Sequence, residues 1–320
     1  MWLFHEAKYG FIGMRRKAYV ISAIALALGV GGMGFNIFTT GALLNEGVDF
    51  TGGVLVQVRF SEQVDDGQIR GALGGASAPP VTRFGADNEY VVRAPIAEGS
   101  DDVDAVAAGI ESQLSATFDT ATFEIVRREA VGAKIGDELE RKAILAILFS
   151  MALTLLYIAF RFEFRFGVAS VIATAHDVLI VLGLLALFRV EISLPTVAAI
   201  LTILGYSLND TIVVFDRIRE NLNAKGGRKE DPYRLVNRSI NETLPRTVLT
   251  SGTTLAVLFS LLVLGGAVIR DFTIVLILGV AIGTYSSIFI ASPALLEIQK
   301  RYGTGEDKDK RRRPAAAAAM

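Results

Sequence analysis

The stretch that decides the fold class runs from Gly167 to Phe188 and reads GVASVIATAHDVLIVLGLLALF. Apart from His176 and Asp177, its residues are apolar or small. A run of about 20 such residues can cross a hydrocarbon layer of about 30 Å, and it is too long for an ordinary buried helix of a soluble protein. The stretch therefore predicts a transmembrane helix that carries ionisable side chains at membrane depth.

Five further apolar runs of similar length lie on either side of this stretch. The chain has 320 residues, of which 52% are hydrophobic, and its mean hydropathy is +0.45. We therefore predict a polytopic α-helical membrane protein with six transmembrane helices. The predicted spans are residues 18–38, 142–160, 167–188, 194–215, 247–268 and 272–296.

Lysine and arginine residues give the predicted orientation, because short cytoplasmic loops are enriched in them. They occur in residues 1–17, in 161–165, in the predicted loop 216–246, which carries eight, and in the tail 297–320. Six alternating spans place these four segments on one side. We predict a multi-pass membrane protein with cytoplasmic N- and C-termini.

The first span could be an uncleaved anchor or a cleaved signal peptide. The run 18–38 is longer than a typical signal-peptide core, and no A-x-A cleavage sequence follows it. The anchor is therefore preferred. At the other end, the basic tail could contact anionic membrane lipid or could simply be solvated.

Residues 39–140, called the external domain below, predict an extracytoplasmic domain between the first two spans. They hold 18 Asp or Glu and 7 Lys or Arg, a net charge of −11. Their patterns indicate the order β-α-β-β-α-β of a ferredoxin-like α+β domain. No catalytic constellation is visible in it, so binding, movement or scaffolding is expected. The predicted elements are 54–60, 64–73, 81–84, 90–94, 101–117 and 123–128.

Composition excludes several kinds of site. The chain has no cysteine and only two histidines, His5 and His176, which excludes thiolate and multi-histidine metal centres. The formal net charge of −1 shows no basic footprint for nucleic acid. We therefore predict no enzyme activity, no metal and no cofactor.

Polar residues inside two predicted spans are candidates for function, because charged groups in a membrane usually face a bundle interior or a water path. His176 and Asp177 in the third span could serve proton passage or make a satisfied hydrogen bond between helices. In the fourth span, Tyr206, Asn209 and Asp210 are spaced by three and four residues, which predicts a shared helix face.

The fifth span is predicted to begin at Pro245, which suits the first turn of a helix. Arg246, Thr250, Thr253 and Thr254 follow at helical spacing and form a predicted polar track. The same residues could instead be an interfacial arginine and threonines that pack between helices. Spans three to five together indicate a proton-coupled conformational machine or a solute transporter.

The sixth span carries small residues at a spacing of four. These residues, Gly279, Gly283 and Ser287, would let a neighbouring helix approach closely. Packing is the preferred interpretation of this stripe.

Several motifs resemble the SecD and SecF proteins of the Sec protein-export machinery. The similarity covers residues 10–302, and its small external domain favours SecF. The motifs are 47–53 (GVDFTGG), shared by both groups, and, resembling SecF in particular, 175–177 (AHD), 208–221 (LNDTIVVFDRIREN), 239–254 (SINETLPRTVLTSGTT) and 283–293 (GTYSSIFIASP).

The resemblance implies an accessory subunit of Sec export in the bacterial cytoplasmic (inner) membrane. This subunit is related to resistance–nodulation–division transporters and pairs with SecD. Such a pair uses the proton-motive force for late-stage translocation and release of polypeptides on the outer side, after the cytoplasmic motor has pushed them through the Sec channel. The resemblance implies proton passage at Asp210 and Arg246, and His176 and Asp177 match a further family motif. A second essential aspartate is expected in SecD.

The motif of Asp49, Phe50, Thr51, Gly52 and Gly53 lies at the entry to the external domain. It lacks the lysine and the following helix of a phosphate-binding P-loop. We interpret its glycines as a strand entry where the backbone is closely approached.

Two other functions stay open at this level. One is half of a small-molecule or lipid exporter, which would need a substrate pocket in the external domain. The other is a structural clamp that steadies SecD and carries no proton. Identification of bound partners would distinguish the exporter from a subunit of Sec export. Substitution of Asp210 would distinguish the clamp, which predicts no effect, from a proton-driven subunit.

Overall fold

The computed structural model of the chain describes residues 8–95, 103–161 and 163–302. Its described part is mostly helical, and six of the helices are long and apolar enough to cross a membrane. The predicted multi-pass helical architecture is therefore confirmed. In chain order the elements are α1 (Arg15–Thr40), β1 (Asn45–Glu46), α2 (Val48–Thr51), β2 (Gly53–Phe60), α3 (Asp66–Ala72), β3 (Val81–Arg83), β4 (Glu89–Ala94), α4 (Val103–Thr117), β5 (Phe123–Val131), α5 (Ala133–Arg161), α6 (Phe164–Phe188), β6 (Glu191–Ile192), α7 (Leu194–Asn223), α8 (Pro232–Leu264), α9 (Arg270–Ser286) and α10 (Ser292–Tyr302), with a π-helical turn at Ser287–Ala291 between the last two.

The strands β2 to β5 and the helices α3 and α4 form a small α+β unit after α1. The four strands make an antiparallel sheet in the order β3-β4-β2-β5. The alternating residues Val54, Val56 and Val58 of β2 are buried against Ile69 of α3 and Leu114 of α4. The six elements follow one another along the chain in the predicted order.

The start of α8 corrects one prediction. The helix begins at Pro232, where the side chain of Asp231 accepts a hydrogen bond of 3.1 Å from the backbone N–H of Arg234. Proline suits this first position because its fixed φ is helical and no N–H is needed there. Pro245 lies inside the helix, so the prediction that it stands in the first helical turn is wrong. The Asp-Pro pair upstream is the stronger start signal.

Most of the predicted loop 216–246 is also helical. α7 continues to Asn223 and α8 starts at Pro232, which leaves only a short connection. The Nε of Arg217 lies 2.7 Å from a carboxylate oxygen of Glu242, so the two polar extensions are joined to each other. A prediction from hydropathy alone ends each helix where charged residues begin. In the structure these charged residues pair with each other, and the helices continue.

Helices of the bundle approach one another closely at glycines. A Cβ added to Gly283 of α9 would lie 2.8 Å from the Cβ of Ser207 in α7, and one added to Gly279 would overlap another side chain of α7. Gly29 of α1 and Gly183 of α6 meet in the same way, with a built Cβ 2.7 Å from the opposite Cα. The close packing predicted from the small residues of the sixth span is confirmed.

Candidate functional site

Asp210 lies in α7 at its contact with α8 and is only 2% exposed. The hydroxyl of Ser251 in α8 donates a hydrogen bond of 3.2 Å to its Oδ2 atom. The Oγ1 of Thr284 in α9 lies 2.7 Å from the Oγ of Ser251. A buried carboxylate is costly unless it is hydrogen-bonded or neutralised. Here its hydrogen bond leads to α8 and, through Ser251, to α9.

Arg246 and Asn209 were both predicted to take part in proton passage with Asp210. They occupy different positions relative to it. The exposed guanidinium of Arg246 is close enough to attract the carboxylate of Asp210, although the described residues form no direct ion pair between them. Asn209 is exposed. One residue turns a helix by about 100°, so the amide of Asn209 points away from Asp210. Of these two residues, Arg246 thus acts on the aspartate through its charge, and Asn209 faces another side of the helix.

The predicted polar track is only partly assembled. The hydroxyl of Tyr206 donates a hydrogen bond of 3.1 Å to the Oγ1 of Thr254, and this contact again joins α7 to α8. The hydroxyls of Thr250 and Thr253 donate to backbone carbonyls of their own helix, at 3.0 and 2.8 Å. Because these two threonines satisfy their hydroxyls locally, they do not extend the contact between the helices.

Asp177 is enclosed more completely than Asp210. It is 1% exposed, and Ser207 of α7 donates a hydrogen bond of 2.5 Å to its Oδ2. The Nδ1 of His176 lies 2.9 Å from its Oδ1. Of the two alternatives for this pair, the hydrogen bond between helices is present, and a role in proton passage stays a prediction.

Tyr285 of α9 connects His176 to α1. The two rings stack at a centroid distance of 6.4 Å, and the Nε2 of His176 has no hydrogen-bond partner among the described residues. The hydroxyl of Tyr285 donates to the carbonyl of Ala18 at 2.8 Å and lies 3.1 Å from the Oγ of Ser22. The polar interior therefore extends from α7 through α6 and α9 to α1.

Four residues of these contacts were missed by the analysis of the sequence: Ser207, Ser251, Thr284 and Tyr285. Single Ser and Thr residues are common in transmembrane helices, where they often serve packing, so their presence is a weak signal. The available signal for Ser207 was its place three residues before Asp210 on a helix.

The stretch 47–53 joins the external domain to the membrane helices. The Oδ2 of Asp49 accepts a hydrogen bond of 2.8 Å from the backbone N–H of Leu194, the first residue of α7. Phe50 is buried among apolar side chains of α6 and α7. This stretch therefore touches the helix that carries Asp210.

The rest of the same motif leads into the sheet. The Oγ1 of Thr51 donates to the carbonyl of Gly47 within the short helix α2. Gly52 and Gly53 have φ values of 69° and 133°, which side chains rarely allow. A Cβ at Gly53 would also lie 2.9 Å from the carbonyl oxygen of Ala94. These glycines stand where β2 begins and where β4 approaches it.

These features define a polytopic membrane protein with a folded domain after its first helix and with carboxylates buried inside its bundle. Among the described residues, no group of three or more His, Cys, Asp or Glu could hold a metal ion. Residues 110–301 match the family described as protein export membrane protein SecD/SecF, C-terminal, and residues 44–64 match the SecD/SecF GG motif. The chain belongs to the SecD/SecF family of protein-export membrane proteins.

Individual relatives point to one branch of this family. The protein translocase subunit SecF of Desulfurispirillum indicum is 46% identical over 299 residues, which cover 91% of this chain and 92% of the relative. The SecF of Gemmatimonas aurantiaca is 42% identical over 311 residues, which cover 95% and 91%. The resemblance to SecF is therefore confirmed, and a role in Sec export is supported.

A solved structure shows the same fold as part of a longer chain. The crystal structure of SecDF from Thermus thermophilus, described as a translocon-associated membrane protein, is similar to this chain with a TM-score of 0.78 and 39% sequence identity. The match covers 94% of this chain and 40% of the SecDF chain. The present chain thus corresponds to less than half of that protein.

Proposed function

We propose that this chain works with SecD as one half of a machine that uses the proton-motive force in late-stage translocation and release of polypeptides. The observation that carries the proposal is the buried carboxylate of Asp210 between α7 and α8, which the positive charge of Arg246 attracts. Protonation removes the charge that burial disfavours, and deprotonation restores the attraction to Arg246. Either change alters the contact with Ser251 and hence the packing of two helices.

The energy available for such a step is sufficient. One charge that crosses the membrane potential is worth about 2.3 kcal/mol per 100 mV. That free energy changes the ratio of two conformations by about fortyfold. A bistable packing of α7 against α8 can therefore be driven by single proton transfers.

The placement in the membrane is part of the proposal. We assign the α+β unit as a ferredoxin-like extracytoplasmic domain, supported by its β3-β4-β2-β5 sheet order. The termini and the α7–α8 connection are cytoplasmic, supported by the basic residues of 1–17, 216–246 and 297–320. The membrane is the bacterial inner membrane, and the spans lie within the residues predicted from the sequence, except that the fifth ends with α8 at Leu264.

The partners follow from the related SecDF chain. Since this chain matches 40% of that translocon-associated protein, a SecD subunit would supply the remaining part. The Sec channel, its cytoplasmic motor and the translocating polypeptide are the further partners. Membrane lipid surrounds the apolar faces of α1, α5 and α8, where many large side chains are exposed.

Asp210→Asn tests the proton role. The amide keeps the shape and can still accept from Ser251, but it cannot be charged, so assembly is expected to persist while proton-dependent release is lost. Asp216→Asn is the matched control, since Asp216 lies on the same helix and is exposed. Both variants are assayed for complex formation and for export into membrane vesicles with and without a proton gradient. Full export by Asp210→Asn would overturn the proton role and favour a structural clamp.

A further inference from the structure

The segment that follows α1 is joined to the start of α7 by its backbone. β1 pairs in parallel with β6, with Asn45 opposite Glu191 and Glu46 opposite Ile192. The N–H of Gly47 then donates a hydrogen bond of 2.8 Å to the carbonyl of Ile192. The entry to the external domain and the approach to α7 therefore run side by side.

Asp49 completes this junction at the N-terminus of α7. The first N–H groups of a helix have no partner within it, and a carboxylate there is stabilised by the helix dipole. The Oγ1 of Thr196 accepts from the N–H of Ser193 at 2.6 Å. The next N–H, that of Leu194, is bound by Asp49 at 2.8 Å. One of the first N–H groups of α7 is thus bound by an acceptor from another segment of the chain.

The junction is closely packed around this hydrogen bond. Phe50, the next residue, is 4% exposed and lies in the core formed by α6 and α7. Arg93 of the sheet forms an ion pair with Glu191, directly before α7. A Cβ at Gly47 would lie 2.7 Å from the Oε1 of Glu191. Movement of the external domain would therefore displace the start of α7 rather than slide past it.

We propose that Asp49 is a positioning residue, which fixes the start of α7 to the external domain and through that helix fixes Asp210. Asp210 lies about 24 Å farther along the same continuous helix, at about 1.5 Å per residue. The inference rests on the proposed proton role of Asp210 and adds the route by which the domain and the aspartate are coupled. It gives Asp49 a mechanical role.

The first test uses substitutions of Asp49 in the intact complex. Asp49→Ala removes the acceptor, whereas Asp49→Asn keeps an oxygen that can accept from Leu194. Asp65→Ala is the matched control, because Asp65 accepts from the N–H of Gly67 at 2.9 Å at the start of α3, within the domain. Hydrogen exchange of the first turn of α7 and proton-driven export are both measured.

We expect Asp49→Ala to speed amide exchange at Leu194 and to slow export about fivefold, the effect of losing one helix cap. Asp49→Asn should restore most of both, and Asp65→Ala should leave exchange in α7 unchanged. If Asp49→Ala exports normally while Asp210→Asn is inactive, the positioning role is overturned and the proton role stands. If amide exchange at Leu194 does not change, the hydrogen bond to Asp49 does not hold the start of α7, and the positioning role is overturned.

The second test locks the junction with a disulfide. The chain has no cysteine, so a pair introduced at Asn45 and Glu191, which face each other across β1 and β6, has no competitor. Neighbouring paired strands lie about 4.8 Å apart, which is within the Cα separation that a disulfide needs. The reduced form of the same variant is the baseline.

A junction that only positions α7 should work when it is locked. We expect the oxidised pair to export as fast as the reduced pair, and oxidation to rescue the Asp49→Ala variant. Loss of export on oxidation, reversed by reduction, would show that the junction must open and would overturn the proposal. Failure of rescue would show that Asp49 acts in another way and would also overturn it.

Discussion

The two buried aspartates, Asp177 and Asp210, lie on neighbouring helices and differ in how completely they are held. Both oxygens of Asp177 have partners, His176 at 2.9 Å and Ser207 at 2.5 Å. Within the described residues, one oxygen of Asp210 accepts a single hydrogen bond, which is 3.2 Å long. A fully satisfied polar group fixes the packing around it, whereas a partly satisfied one can change state. Two equally buried carboxylates can therefore differ in how firmly their hydrogen bonds hold them.

The largest expected contrast comes from isosteric replacement of each aspartate in turn. Asp210→Asn should abolish proton-driven export without loss of the folded complex, because only the ability to ionise is removed. Asp177→Asn should keep much of the export, because an amide can still bond with Ser207. Export per assembled complex is the measurement. Equal loss of export in both variants would erase the difference between the two sites.

Removal of the whole Asp177 side chain should be costly to the fold. Asp177→Ala leaves the hydroxyl of Ser207 and the ring of His176 without their partner in a buried site. Breaking a buried polar network in this way costs about 3 kcal/mol. The measurement is the thermal unfolding midpoint in detergent, with Asp216→Ala as the exposed control. A change as small as that of the control would show that Asp177 is not held as the contacts indicate.

The packing beneath Asp177 can be disturbed without touching either carboxylate. Gly283→Ala places a methyl group 2.8 Å from the Cβ of Ser207, the donor to Asp177. Overpacking of this kind costs about 1–3 kcal/mol. Gly205→Ala is the control, because a Cβ there has open space. Stability similar to that of the control would mean that α9 and α7 separate easily, and the enclosure of Asp177 would be looser than described.

The smallest expected effect concerns the single hydrogen bond of Asp210. Ser251→Ala removes the donor and should slow export severalfold, since one hydrogen bond contributes about 1 kcal/mol. Ser260→Ala on the same helix is the control, because its hydroxyl bonds to the carbonyl of Ala256 at 2.9 Å. Initial rates of proton-driven export are compared. No difference between the two variants would show that Asp210 works without help from α8.

The sequence predicted the ionisable residues of the site but not the hydroxyl groups that hold them. The ionisable residues Asp177, Asp210 and Arg246 were found because charge is costly in an apolar span. Ser207 and Ser251, which decide how each carboxylate is held, were missed because a lone hydroxyl in such a span is ordinary. The spacing from Tyr206 predicted that Asn209 shares the face of Asp210. One residue rotates a helix by about 100°, however, and Asn209 is exposed.

The sequence by itself determined the six spanning helices and the order of the elements in the domain. Both depend on local patterns, since apolar length decides entry into a bilayer and alternation decides a half-buried strand. Tertiary structure alone decided that Ser207 and Ser251 meet the two aspartates and that Asp49 binds the N–H of Leu194 at the start of α7. These facts depend on how residues far apart in the chain meet, and a pattern along one segment does not contain the rotation or position of its neighbour.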